Sequence, residues 1–101
     1  MGRFKLTRNA ETDVDGITDY TLRTWGERQC ARYVDALESC FRDLAHTPSL
    51  GRACEHIRQG LMRQEQGKHV VFYLPKPYGV RIIRVLHERM LPDRHNIIDD
   101  E

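Results

Sequence analysis

The sequence has few cysteines and no long apolar run, and both shortages narrow what the chain can be. Its three cysteines, Cys30, Cys40 and Cys54, form an odd set without C-x-x-C spacing. That excludes a disulfide scaffold as the main support and favours a reducing compartment. No apolar stretch approaches the roughly 18 residues that a membrane span needs, and the first residues lack the apolar segment of a secretory signal. We therefore expect a cytoplasmic protein that is not inserted in a membrane.

A strong net charge is also missing, since the formal net charge is only +1. This balance argues against a general nucleic-acid binder, and we expect no direct sequence-specific binding of nucleic acid. The charges are nevertheless unevenly spread: the net charge is −4 over residues 10–49, +5 over residues 50–95 and −3 over residues 96–101. We expect a single domain over residues 1–95 and an acidic C-terminal tail over residues 96–101.

The common catalytic and metal-binding motifs are absent as well. The chain contains no Walker sequence, no G-x-G-x-x-G and no G-x-S-x-G. The stretch from His87 begins like a zinc-protease helix, but Leu91 stands where the second histidine must be. The set of His46, Cys54 and His56 matches no four-ligand zinc spacing. We therefore expect no metal, no cofactor and no catalytic residue.

What the chain does contain is 40% hydrophobic residues, and their spacing predicts two amphipathic helices joined at Gly26. The first apolar face comprises Ala10, Val14, Ile17, Thr21 and Trp25. The second comprises Cys30, Val34, Leu37, Phe41 and Leu44. The short link predicts an antiparallel hairpin, which Pro48 ends. Asp13, Asp15 and Asp19 are expected to be solubilising charges on the solvated face of the first helix.

Alternating, β-branched and aromatic residues predict strands, with a rigid loop over residues 75–79. The predicted strands span residues 3–7, 61–66, 69–74 and 80–87. One face of the last strand is expected to carry Val80, Ile82, Arg84 and Leu86; if that face meets the helices, Arg84 is partly buried and needs a carboxylate partner. The fold class that results is α+β: a short N-terminal strand, and an antiparallel two-helix hairpin packed on a three- to four-stranded antiparallel sheet.

The last third of the chain gathers cationic side chains within fifteen residues, and two interpretations are open. The group consists of Arg81, Arg84, His87, Arg89, Arg94 and His95. It is either an ordinary solvated face or a basic patch for an acidic partner, such as a phosphate backbone or an acidic protein surface.

A second group consists of apolar residues that the two predicted helix faces leave over. Its members are Tyr33, Ala36, Cys40, Tyr73 and Leu74. An exposed apolar strip usually marks a partner site. The alternative is that these residues pack beneath the loop of residues 48–60.

Several short motifs, taken in order, resemble the ParE branch of the RelE/ParE toxin superfamily over residues 4–95. They are A-x-x-D-V-x-x-I-x-x-Y-x-x-x-x-W-G (10–26), YVDAL (33–37), PSLGR (48–52), IRQGL (57–61), GKHVVFY (67–73), RVLHERM (84–90) and RH (94–95). The resemblance implies a RelE/ParE-like fold and a bacterial toxin of a type II toxin–antitoxin system. It further implies inhibition of DNA gyrase by binding, and neutralisation by a ParD-like ribbon-helix-helix antitoxin. The six cationic residues are then the expected target-binding surface, and the five apolar residues the expected antitoxin-binding surface.

Two alternatives stay open at this point. The RelE-like sister branch cuts messenger RNA on the ribosome, and Arg81, Arg84, His87 and His95 could supply the base, cation and acid for that reaction. The low lysine content and the acidic residues Asp99, Asp100 and Glu101 favour the gyrase hypothesis over this one. The other alternative is a non-toxic module that only binds the antitoxin.

Overall fold

The computed structural model describes residues 2–90, so Arg94, His95 and the acidic tail of residues 96–101 lie outside the described residues. Two long helices and five strands follow one another along the chain. They are β1 (Arg3–Leu6), α1 (Arg8–Trp25), α2 (Glu27–His46), a 3₁₀ turn (Pro48–Leu50), β2 (Arg52–Ala53), β3 (Met62–Gln66), β4 (His69–Lys76) and β5 (Gly79–His87). No helix within these residues is long and apolar enough to cross a membrane.

The helical hairpin forms where the sequence predicts it. The Thr7 hydroxyl begins α1 by accepting a hydrogen bond from the Ala10 amide at 3.0 Å, and it donates to the Ile83 carbonyl of β5 at 2.8 Å. Gly26 alone separates α1 from α2, and its φ of 89° is accessible to glycine at little cost. This one residue therefore caps α1 and turns the chain into α2.

The sheet has the strand order β1-β5-β4-β3-β2. Strands β2 to β5 form an antiparallel series, and β1 runs parallel to β5. The α+β fold class is confirmed. The parallel direction of β1 was not predicted, because alternation looks the same in either direction, and β2 is too short to show a pattern. Gly79 lets β1 approach β5, since a Cβ there would lie 2.0 Å from the Arg3 carbonyl oxygen.

The predicted loop of residues 75–79 is shorter in the structure, and the predicted face of β5 is wrong beyond Ile82. β4 continues to Lys76 and β5 begins at Gly79. The pairing register shifts by one residue between Phe72 and Tyr73, because Ile83 is an extra, bulged residue of β5 opposite them.

The bulge sends the residues of β5 to two different cores. Val85 joins Val80 and Ile82 beneath the helices, whereas Leu86 lies with Ile83 on the opposite face. A one-residue shift moves every following side chain to the other face of the sheet, which accounts for the error.

The sheet is covered on both faces. The helix-side core joins the hairpin to the sheet through buried residues that include Ala10, Leu37, Phe41, Leu44 and Tyr73. The second core is closed by the loop that follows β2, whose Cys54 and Leu61 are fully buried against Val70, Phe72 and Ile83. Because the loop covers this face, the open surface of the molecule lies along the seam between the helices and the sheet.

Candidate functional site

A partly buried ion pair fixes the first turns of α1 against the end of β5. The Arg84 Nε and Nη2 atoms donate to the Asp13 Oδ2 and Oδ1 atoms at 2.7 and 2.9 Å, and the Val85 amide donates to Oδ2 at 3.0 Å. The two side chains are 16% and 12% exposed. The hydrogen bonds to Asp13 raise the pKa of the Arg84 guanidinium.

This ion pair tests two predictions made from the sequence. The expectation that Arg84 is partly buried and needs a carboxylate is confirmed. The expectation that Asp13 is a solvated charge is wrong, because it is this carboxylate. Asp15 and Asp19 are exposed, as predicted.

A cluster of three aromatic rings lies beside the ion pair. The His69 ring at the start of β4 lies 5.4 Å from the Tyr33 ring of α2 and 5.6 Å from the His87 ring at the end of β5. The Tyr33 hydroxyl donates to the Gln66 carbonyl at 2.9 Å and also hydrogen-bonds the His69 Nδ1 atom. Burial, together with the charge of His87, lowers the pKa of His69, and burial raises the pKa of Tyr33.

Two adjoining cavities follow the seam between the hairpin and the sheet, with volumes of about 380 and 460 Å³. Both cavities are lined by Tyr20, His69 and His87. The first extends to Trp25, Gln29, Tyr33 and Lys68, and the second to Asp13, Ile17, Arg84 and Met90. We call the two cavities together the helix–sheet groove.

Exposed aromatic side chains form one wall of the helix–sheet groove. Trp25 is 67% exposed and Tyr20 is 62% exposed. The prediction that Trp25 belongs to the buried face of α1 is therefore wrong, because α1 ends at this residue and the side chain lines the open groove. Sequence reasoning missed Tyr20 and His69 as well. Tyr20 lies outside the predicted apolar face of α1. An aromatic residue on that side of the helix was the available signal of an exposed contact residue.

The structure separates the predicted cationic surface. Arg84 is ion-paired with Asp13, and His87 lines the helix–sheet groove. Arg89 is exposed directly beyond β5. Arg81 lies six residues before His87 on the strand, roughly 20 Å away along it, opposite Leu74. Within residues 2–90, only the end of β5 therefore brings members of this set together.

The predicted antitoxin-binding residues divide into buried and accessible members. Cys40, Tyr73 and Leu74 are buried in the cores, so they do not form an exposed strip. The Tyr73 hydroxyl donates to the Pro48 carbonyl at 2.7 Å and accepts from the Gly51 amide at 3.0 Å. That is the alternative arrangement, in which the residue packs beneath the loop. Tyr33 lines the helix–sheet groove, and Ala36 is half-buried on α2.

The three cysteines are free thiols in buried positions. Burial raises the pKa of Cys40 to about 11, and it also raises the pKa of Cys54. In the described part of the chain, no group of three or more His, Cys, Asp and Glu side chains could hold a metal ion.

Comparison with known proteins gives a consistent result along the whole chain. A family model described as "ParE toxin of type II toxin-antitoxin system, parDE" matches residues 4–92. The Toxin ParE1 of Caulobacter vibrioides is 39% identical over 97 residues, which cover 94% of this chain and 98% of that protein. The Toxin ParE1 of Mycobacterium tuberculosis is 35% identical over 94 residues, which cover 92% of this chain and 96% of that protein.

A solved structure, "Chromosomal ParDE TA system from P. aeruginosa", contains a similar chain. The two chains superimpose with a TM-score of 0.70 at 22% identity, over 86% of this chain and 96% of that one. At this level of identity the likeness shows the fold, namely a helical hairpin on a five-stranded sheet.

Proposed function

This chain belongs to the ParE toxin family of type II toxin–antitoxin systems, and from that membership we propose that it inhibits DNA gyrase by binding and is neutralised by a ParD-like antitoxin. The family model and the relatives cover nearly the whole chain, so the proposal concerns the complete domain. The gyrase target is taken from the family, whereas the surfaces are assigned from the geometry of the described residues.

The helix–sheet groove is the observation that supports a binding function. It presents two largely exposed aromatic side chains, Tyr20 and Trp25, which a protein partner can bury with a large gain from the hydrophobic effect. A groove between a helical hairpin and a sheet suits an amphipathic segment of a partner. We assign the groove to the antitoxin, with Tyr33 as the predicted contact residue that lines it.

The end of β5 is the surface that we assign to gyrase. His87 and Arg89 lie there, and the predicted residues Arg94 and His95 follow a few positions later in the sequence. Arg81 is distant along the strand, and Arg84 already neutralises Asp13. The target-binding proposal therefore concentrates on His87, Arg89, Arg94 and His95.

The ion pair also favours binding over cleavage of RNA. A ribonuclease needs a cation that is free to stabilise charge on the phosphate in the transition state. Arg84 lines the helix–sheet groove with His69 and His87, and two of its guanidinium N–H groups donate to Asp13, so its charge is balanced within the fold. Lys68 is then the remaining permanent charge among the described lining residues. Because RelE-like ribonucleases rely on a cluster of Lys and Arg, we propose that the chain carries no catalytic residue.

Induced expression in bacteria tests the proposal together with a purified gyrase reaction. We expect growth arrest, accumulation of gyrase-cleaved DNA, intact messenger RNA, and relief of all effects when a cognate ParD-like ribbon-helix-helix antitoxin is co-expressed. Ribosome-dependent cuts in transcripts without cleaved DNA would establish the ribonuclease alternative instead. Tight antitoxin binding without growth arrest would establish the non-toxic module.

A further inference from the structure

His69 lies where the two cavities of the helix–sheet groove meet. Its ring is half-buried between Tyr33 and His87, and it lines both cavities. Most of the groove wall around it is aromatic or apolar, including Tyr20, Ile17 and Met90. A polar atom in such a wall determines which partners fit, because burying it without a hydrogen bond is unfavourable.

The hydrogen bonds of Tyr33 define which ring nitrogen of His69 carries the hydrogen. The Tyr33 hydroxyl has a single hydrogen, which it donates to the Gln66 carbonyl, a group that can only accept. The contact between Tyr33 and the Nδ1 atom of His69 therefore requires a hydrogen on Nδ1. A neutral imidazole has only one N–H, so its Nε2 atom carries a lone pair.

This Nε2 atom is accessible from the groove. It has no hydrogen-bond partner among residues 2–90, and the one buried side-chain nitrogen or oxygen without a partner in that range is Nε of Arg63. Since Nε2 is unpartnered and not buried, it is open to the groove that the ring lines. Burial and the nearby His87 lower the pKa of His69, which keeps the ring neutral at neutral pH.

The charges of the groove favour a peptide over a nucleic acid as the occupant. Asp13 and Arg84 neutralise each other, so Lys68 is the remaining permanent charge among the described lining residues. A phosphate backbone is held by several cations at once, which this wall does not offer. An apolar segment with one hydrogen-bond donor matches the wall in both polarity and charge.

We propose that His69 is the specificity-determining acceptor of the helix–sheet groove, and that it takes a hydrogen bond from an N–H or O–H donor on the apolar antitoxin segment that fills the groove. This inference rests on the proposed function. It specifies one feature of the antitoxin, namely a hydrogen-bond donor at the position that faces His69. An occupant without a donor there leaves Nε2 buried and unpaired, which weakens binding about 10- to 100-fold.

An acceptor role for His69 also makes antitoxin binding weaker at low pH. Protonation of His69 replaces the Nε2 lone pair with an N–H, which repels the donor of the partner. The groups that face His69 are Tyr33 from α2, His87 and Glu88 from the end of β5, and Asp13 from α1. Glu88 and Asp13 favour the protonated ring, whereas burial and His87 oppose it. Because the pKa of His69 is lowered, affinity should hold at neutral pH and fall only as the pH drops below about 6.5, the ordinary pKa of a histidine.

Binding of a purified cognate ParD-like antitoxin to the full chain tests the proposal. His69→Phe keeps the ring and removes the acceptor, so Kd should rise about 10- to 100-fold and lose its dependence on pH. His69→Gln restores an acceptor and should recover part of the affinity. His56→Phe, which removes an exposed imidazole outside the groove, serves as the matched control. The ¹⁵N shifts of the His69 ring should show the hydrogen on Nδ1 in the wild-type chain.

The outcomes separate the inference from the proposed function. Unchanged affinity in His69→Phe, with neutralisation intact, would overturn the acceptor role and leave the toxin–antitoxin pairing standing. A hydrogen on Nε2 in the wild-type spectrum, or a flat pH profile of wild-type binding, would overturn it even if His69→Phe failed to fold. Absence of any wild-type binding to the antitoxin would overturn both proposals.

Discussion

Arg84 and Asp13 lie 71 positions apart in the sequence and meet in a two-point ion pair, with Nε and Nη2 of Arg84 at 2.7 and 2.9 Å from the carboxylate oxygens. The same carboxylate accepts the Val85 amide. β1 pairs with β5 only as far as Ile82, so Asp13 continues the hydrogen bonding of that sheet edge beyond the last paired residue. The pair thereby joins α1 to β5 and closes a strand edge.

Asp13→Asn should lower the free energy of unfolding by about 3 kcal/mol, since it leaves the partly buried Arg84 guanidinium without its counter-charge. Asparagine keeps the shape of the side chain and can still accept the Val85 amide, so the loss reports mainly on the charge. Denaturant unfolding followed by circular dichroism measures it.

Asp19→Asn is the matched control for this measurement. Asp19 forms an ion pair of 2.7 Å with Arg23 on the same helix, but the two side chains are 62% and 73% exposed. An exposed pair contributes little, so this variant should stay within about 0.5 kcal/mol of the parent. Equal losses in the two variants would contradict the structural role of Asp13.

The ion pair shows where sequence reasoning ends. The mixture of Arg84 with apolar neighbours on a strand was enough to predict a partly buried cation that needs a carboxylate. The identity of that carboxylate was not predicted. Asp13 follows the buried Ala10 by three residues and precedes the buried Ile17 by four, which places it beside the apolar face of α1, whereas Asp15 and Asp19 lie away from that face. Only the docking of α1 on β5 shows that Asp13 is the partner of Arg84.

The groove illustrates a second limit. Periodicity predicted both helices and the hairpin, because each face repeats over several turns. It placed Trp25 on the buried face, since a repeat carries no information about where the sheet beneath the helix ends. The bulge at Ile83 is likewise a single-residue event in the pairing of two strands, and it has no signature in the β5 sequence alone.

Tyr73→Phe should destabilise the chain by about 1–3 kcal/mol and loosen the segment that follows α2. The Tyr73 hydroxyl is the buried link that joins the Pro48 carbonyl to the Gly51 amide. Hydrogen exchange at the Gly51 amide should become faster in the variant. Tyr20→Phe removes the hydroxyl of a largely exposed tyrosine and should leave both stability and exchange unchanged. If Gly51 exchanged equally slowly without the Tyr73 hydroxyl, the proposed anchoring would be wrong.

The three thiols should be protected from thiol reagents in the folded protein at about pH 8. All three are buried, and burial raises the pKa of Cys40 to about 11, so that its thiol is protonated well above neutral pH. Reaction with Ellman's reagent should therefore follow the rate of unfolding, and three thiols should react at once in concentrated guanidinium. Rapid labelling of Cys40 in the native protein would show that the helix-side core opens far more readily than its burial indicates.

Arg89→Glu combined with Arg94→Glu should relieve growth arrest while leaving the fold and antitoxin binding intact. Arg89 is exposed directly beyond β5, Arg94 follows five positions later in the sequence, and both belong to the set that we assign to gyrase. Two charge reversals oppose an acidic partner strongly. Arg3→Glu with Arg42→Glu changes the net charge by the same amount at exposed positions of β1 and α2, away from the groove lining. Only the first pair should lower gyrase-mediated DNA cleavage in the purified reaction. If both double variants lost toxicity equally, net charge alone would account for the effect; if neither did, gyrase would have to be contacted elsewhere on the molecule.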